Sequence, residues 1–133
     1  PAASVDALHI SETGHPMKHA FDDHALTRLL GPDPVRQRRV YALFVDTGTR
    51  TLTSMRAALD GADLVSLGVA AHRLKSAALL VGAPALGALA AQLEAAAEEG
   101  NGSAIAPMLS ELEEEVTHAL DWVRARLQAL AEN

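Results

Sequence analysis

The tripeptide Gly82-Ala83-Pro84 separates two helical patterns and restricts the fold of this chain more tightly than any other stretch. At about 100° per residue on a helix, Leu64, Leu67, Ala71, Leu74, Ala78 and Val81 fall on one stripe before it. Leu86, Leu89, Leu93 and Ala97 form a second stripe after it. Gly82 is suited to the left-handed conformation that ends a helix, and Pro84 to the first turn of the next. A link this short forces the two helices into an antiparallel hairpin. Glu94 then lies about as far from the turn as His72 does, so the two side chains can meet.

The remaining pattern supplies partners for that hairpin. Apolar residues make up 49% of the chain but aromatics only 3%. The interior must therefore be built from Ala, Leu and Val, which suits closely packed helices better than a sheet. Residues 1–20 read as a linker or disordered tail, with Gly14, Pro16 and no sustained period. His15 and His19 have a spacing that could pinch a metal ion, but Pro16 lies between them and no third ligand is evident, so no metal site is expected. A short helix is expected from His24 to Leu30, capped by Asp22 or Asp23 and stopped by Gly31-Pro32. A longer one follows, with Asp33 as N-cap, Pro34 at its first position, Val40, Phe44, Leu52, Met55 and Leu59 in period, and Gly61 at its end. Within it, Gly48 and the alternating Thr47, Thr49, Thr51 and Thr53 predict a local kink. Asp63 caps the helix that runs to Val81.

After Gly100, Ser103 is expected to cap a last helix carrying Leu109, Leu112, Val116, Leu120, Val123, Leu127 and Leu130, with Pro107 in its unbonded first turn. Glu111, Glu113, Glu114 and Glu115 read as a water-facing side, and His118 as solvated. The expected fold is all-α: an antiparallel four-helix bundle over residues 21–133 with an additional short N-terminal helix.

Composition also excludes classes of function. There is no cysteine, so neither disulfides nor thiolate metal sites are available. The net charge of −6 leaves no basic stripe for nucleic acid. No apolar run approaches the ~20 residues that span a bilayer, and no signal-peptide layout opens the chain, so a cytoplasmic module without membrane contact is expected. No Gly-rich phosphate loop or Mg²⁺-binding carboxylate cluster points to ATP. The chain begins with Pro1, as a piece of a longer protein would.

His72 lies opposite its helix's buried stripe, with Val65, Gly68, Val69, Ser76 and Leu79 around it and Lys75 one turn on. Solvated helix faces usually carry Glu, Lys and Arg. A face this bare of charge around one titratable side chain is a place where a partner lands. His72, Lys75, Ser76, Gly82, Leu86, Leu93 and Glu94 reproduce, in register, the pattern of a histidine followed by Lys at three, a small residue at four, Gly at ten, Leu at fourteen and a Leu-Glu pair ending at twenty-two. In this the chain resembles the histidine-containing phosphotransfer (HPt) domains of phosphorelays, over about residues 23–130; Ser76 stands where Gly is commoner.

The resemblance implies a phosphohistidine carrier that takes a phosphoryl group from a receiver-domain aspartate on His72 and passes it to another. No cofactor is implied for this domain, and Mg²⁺ is expected on the receiver. Lys75 would offset the charge of the phosphate oxygens, and Glu94 would accept a hydrogen bond from the second ring nitrogen, fixing the tautomer. Val65, Gly68, Val69, Ser76 and Leu79 would meet response-regulator receiver domains, with the isolated domain a monomer. Two rival readings share the fold: the phosphoacceptor domain of a chemotaxis-type kinase, and a helical adaptor in which His72 carries no chemistry.

Overall fold

In the computed structural model, which describes residues 20–132, two helices start at an aspartate whose side chain caps them and three stop at a glycine. There are five: α1 (Ala25–Leu30), α2 (Pro34–Asp60), α3 (Leu64–Val81), α4 (Pro84–Glu98) and α5 (Gly102–Ala131), with no strand among the described residues. The Asp33 carboxylate accepts from Val35 N–H at 3.0 Å, and that of Asp63 from Ser66 N–H at 3.1 Å. Each thus takes up one of the donors that a first turn leaves without an intrahelical partner.

The bundle follows from short links. α2 packs on α3, α3 on α4, α4 on α5 and α5 back on α2, while α1 lies across α2 and α3. This is the expected antiparallel four-helix bundle with a short helix before it. Its core is largely aliphatic: Leu67, Leu74, Leu86, Leu93, Ile105, Leu109 and Leu112 are fully buried, with Ala71, Ala78 and Ala90 between them. The few aromatics gather at one end. Phe21 stacks on Trp122 with centroids 4.8 Å apart, and the Trp122 ring meets Tyr41 edge-on at 6.1 Å. The segment before α1 is thereby tied to both α2 and α5.

Gly82 ends α3 in the left-handed region, at φ 89° and ψ 37°. It is also a point of close approach. Asp22 N–H donates to its carbonyl at 2.8 Å, and a Cβ there would lie 2.3 Å from the Asp22 carbonyl oxygen. No side chain fits between the two strands of backbone.

α2 is helical without interruption through residues 46–54, as expected, and the alternating threonines form no strand. Thr49 Oγ1 donates to the Val45 carbonyl at 2.8 Å, which keeps the hydroxyl inside the helix. Gly48 is buried beside Leu120, whose Cδ2 would lie 3.5 Å from a Cβ at that position, an ordinary contact distance. Several sequence expectations need correcting. The N-cap position of α1 falls on His24; Asp22 instead accepts from His24 N–H at 2.9 Å and pairs with Arg28. α5 begins one residue before Ser103, with Asn101 at its N-cap. Pro107 therefore sits in the second turn, and because both Pro107 and Ser103 are exposed, water can serve the carbonyl that the proline leaves unbonded.

Glu115 is fully buried rather than water-facing. It follows Leu112 by three residues on the stripe that α5 turns inward, so position overrides residue type. His118 is half-buried rather than solvated. α3 also departs from the reading that no run approaches bilayer length. Its 18 residues have a mean hydropathy of 1.4, long and apolar enough to cross a membrane by those measures alone. Yet Arg73 and Lys75 stand at its middle, where each would cost roughly 2.5–3.5 kcal/mol in a bilayer, and its apolar stripe is already covered by the bundle. The tail with His15 and His19 lies outside the described residues.

Candidate functional site

The α3–α4 hairpin brings His72 and Glu94 together, each eleven residues from Ala83 at the turn. Antiparallel contacts run along it: Leu79 lies over Gly87 and His72 meets Glu94 in the same register, and Gly68 lies beside Ala97, one residue off it. The His72 ring is 57% exposed and the Glu94 carboxylate only 19%. His72 Nδ1 stands 2.9 Å from Glu94 Oε2, and Lys75 Nζ donates to Glu94 Oε1 at 3.0 Å. One carboxylate holds both groups.

The protonation pattern follows. The hydrogen bond from Lys75 and then that from His72 hold the Glu94 carboxyl below its ordinary range, against the opposing effect of its partial burial. An ionised carboxylate can only accept. Nδ1 of the neutral ring therefore carries the proton, and the Nε2 lone pair is left on the outward side.

Beside the ring runs a groove of about 460 Å³, floored by Gly68 and Ala97 and walled by Leu64, Val65 and Val69. Gly68 matters for its depth, since even a methyl group there would sit 3.4 Å from the Ala97 Cβ. Val65 is 80% exposed. Of the residues singled out in the sequence, Val65, Gly68, Val69, His72 and Glu94 share this groove, whereas Ser76 and Leu79 lie beyond it on the far side of His72. Lys75 reaches the groove only through Glu94.

Sequence reasoning missed Arg73 and Glu98, which also line the groove and make its rim less bare of charge than expected. Glu98 was within reach of inference, because residues four apart on a helix share a face and Glu94 was already placed.

Residues 39–131 match the family profile of the Hpt domain. The chain belongs to the Hpt domain family. The matched stretch runs from early α2 to the end of α5 and so contains all four bundle helices. The protein has a histidine phosphotransfer role in a phosphorelay, and Hpt domains of phosphorelays exchange phosphate with receiver domains. The fold is also that of histidine-containing phosphotransfer protein B (HptB) from Pseudomonas aeruginosa PAO1. That crystal structure aligns with a TM-score of 0.77 and 24% identity, over 82% of this chain and 95% of the other. No curated protein sequence is significantly similar to this Hpt domain.

Proposed function

We propose that His72 is the phosphoacceptor of this Hpt domain, with Glu94 orienting its ring and Lys75 serving the incoming phosphate. The reading rests above all on the 2.9 Å contact between Nδ1 and Glu94, which leaves Nε2 free on a half-exposed ring. Nε2 attacks phosphorus of a receiver's aspartyl phosphate in line. The bond from phosphorus to the aspartyl oxygen breaks, and that carboxylate departs with the electron pair. The ring gains positive charge as the new bond to Nε2 forms. Glu94, already ionised and aimed at Nδ1, offsets that charge without having to reorganise. Lys75 can turn from Glu94 toward the phosphoryl oxygens, a short movement for a flexible stem. Reversal delivers the group to a second receiver. Mg²⁺ belongs to the receiver in this scheme.

The docking face comprises Val65, Gly68 and Val69 on one side of His72 and Ser76 and Leu79 on the other. The domain works as a monomeric cytoplasmic module. Incubation with a phosphorylated receiver domain tests the assignment. Wild type should take up acid-labile, alkali-stable phosphate, and His72→Gln should take up none while keeping its helical circular dichroism. Uptake by His72→Gln would remove His72 from the reaction.

A further inference from the structure

Two opposite charges line the groove beside His72 without pairing. Arg73 of α3 and Glu98 of α4 both reach it, and both are exposed. Among the described residues, neither side chain forms an ion pair or a hydrogen bond, with the other or with a third group. Lys75, by contrast, is held by Glu94 at 3.0 Å and lies outside the groove. Glu98 is also poorly placed for stability. It stands in the last turn of α4, which holds no basic residue, where the helix dipole favours a cation and disfavours an anion. Side chains on a helix lean toward its N-terminus. The His72 ring therefore leans over Gly68 and Val69, and Arg73 leans the same way. Glu98, four residues after Glu94, leans back toward the carboxylate that holds the ring. A phosphoryl group on Nε2 would stand over the groove, between these two charges.

We infer that Arg73 and Glu98 set how firmly this domain retains a phosphoryl group: the guanidinium gathers the phosphoryl oxygens over the groove, and the carboxylate on the other wall repels them. The inference rests on His72 being the phosphoacceptor. A protein-bound phosphoryl group carries about 1.5–2 negative charges at neutral pH and presents three acceptor oxygens. The planar fork of an arginine can donate to two of them at once. An ionised carboxylate has no proton to donate, so Glu98 contributes repulsion alone. A carrier must release what it takes, and a site built only of attractive contacts would trap the group. Arg73 favours loading and Glu98 favours discharge. Neither alters which bond forms or breaks at Nε2.

The test follows the phosphorylated state. Wild type, Glu98→Gln, Arg73→Gln, Arg73→Lys and a charge control, Glu111→Gln on the exposed side of α5, are each brought to equilibrium with one phosphorylated receiver domain. The ratio of phosphohistidine to free histidine is then measured. In parallel, the initial rate of uptake is measured with phosphoramidate, a small anionic donor that releases ammonia and needs no docking surface. An exposed charge pair changes an equilibrium by up to about fivefold, and the near-double charge of the phosphoryl group enlarges this. Glu98→Gln should therefore raise the phosphohistidine ratio by about five- to tenfold, and Arg73→Gln should lower it by a similar factor. Phosphoramidate uptake should move in the same two directions. Arg73→Lys should recover most of the loss, Glu111→Gln should match wild type, and circular dichroism should stay unchanged throughout. A wild-type ratio for either Glu98→Gln or Arg73→Gln would overturn the inference, as would shifts in the same direction. So would shifts seen with the receiver but not with phosphoramidate, because the two residues would then be touching the partner rather than the phosphoryl group. An equal gain in Glu111→Gln would do the same, since net charge alone would then account for the effect. His72→Gln in the phosphoramidate arm keeps the two claims apart, since uptake there would refute the phosphoacceptor assignment whatever the charge variants do.

Discussion

Gly82→Ala should be among the most damaging single-methyl additions in the molecule. Alanine in the left-handed region costs about 1–2 kcal/mol, and Gly82 is at φ 89°. The new Cβ would also lie 2.3 Å from the Asp22 carbonyl oxygen and 3.0 Å from the Ala25 Cβ. Backbone cannot yield there as a side-chain tip would, so the segment before α1 must move. That movement sacrifices the Asp22 N–H bond to the Gly82 carbonyl, worth about 1 kcal/mol. It also disturbs the Phe21–Trp122 stack, worth about 0.5–1.5 kcal/mol. Together these come to about 3–4 kcal/mol, or roughly 10–15 °C in Tm for a domain of this size. Gly100 is an internal reference, because it has φ 72° and nothing within 4 Å of the place a methyl group would take. Gly100→Ala should lose only the backbone contribution, about 1–2 kcal/mol. Thermal and urea unfolding followed by far-ultraviolet circular dichroism measure both. Equal losses for the two variants would refute the claim that the contact with Asp22 matters.

Other outcomes concern the site. Glu94→Ala should slow phosphate uptake by about 10–100-fold, as loss of an orienting hydrogen bond does at comparable sites, and Glu94→Gln should recover part of it because its carbonyl can still accept from Nδ1; identical rates for the two would argue against orientation. Because the Glu94 carboxyl is held below its ordinary value near 4.5, the stabilisation from this ion pair is complete above about that pH and is lost as the pH falls through the lowered value. Lys75→Ala should slow transfer without unfolding the protein and should raise the Glu94 titration point seen by carboxyl NMR; an unmoved titration point would count against the ion pair. Gly87→Ala would place a Cβ 2.9 Å from Leu79 Cδ2; that side-chain end can shift, so stability should change by less than about 1 kcal/mol while KM for the receiver rises, and an unchanged KM would exclude Leu79 from the docking face.

The hairpin and the meeting of His72 with Glu94 were legible because Gly82 and Pro84 leave the chain a single way to turn, after which distance along each helix is a matter of counting. The continuity of α2 was harder to see. Alternating threonines imitate a strand, and only the bundle shows that Gly48 is buried within a helix facing Leu120 rather than placed at a break. Glu115 was misplaced for a related reason: a glutamate beside three others reads as solvent-facing, yet the helical period carries it inward with Leu112. Of the rim residues, Glu98 belongs to α4 and becomes legible once Glu94 is placed, whereas Arg73 follows His72 directly and lies about 100° from it on the α3 wheel, off the face read for docking. Lys75 was placed correctly on its face, but its engagement with Glu94 depends on a neighbour nineteen residues away.

The antiparallel pairing of α3 with α4 makes the chemistry hostage to arithmetic. One residue inserted between Pro84 and Glu94 would swing the carboxylate by about 100° around its helix and slide it about 1.5 Å, stranding the imidazole while barely altering length or composition. Indels should therefore be tolerated at the distal loops of this bundle and forbidden in the span from 72 to 94, even where every side chain named above is retained.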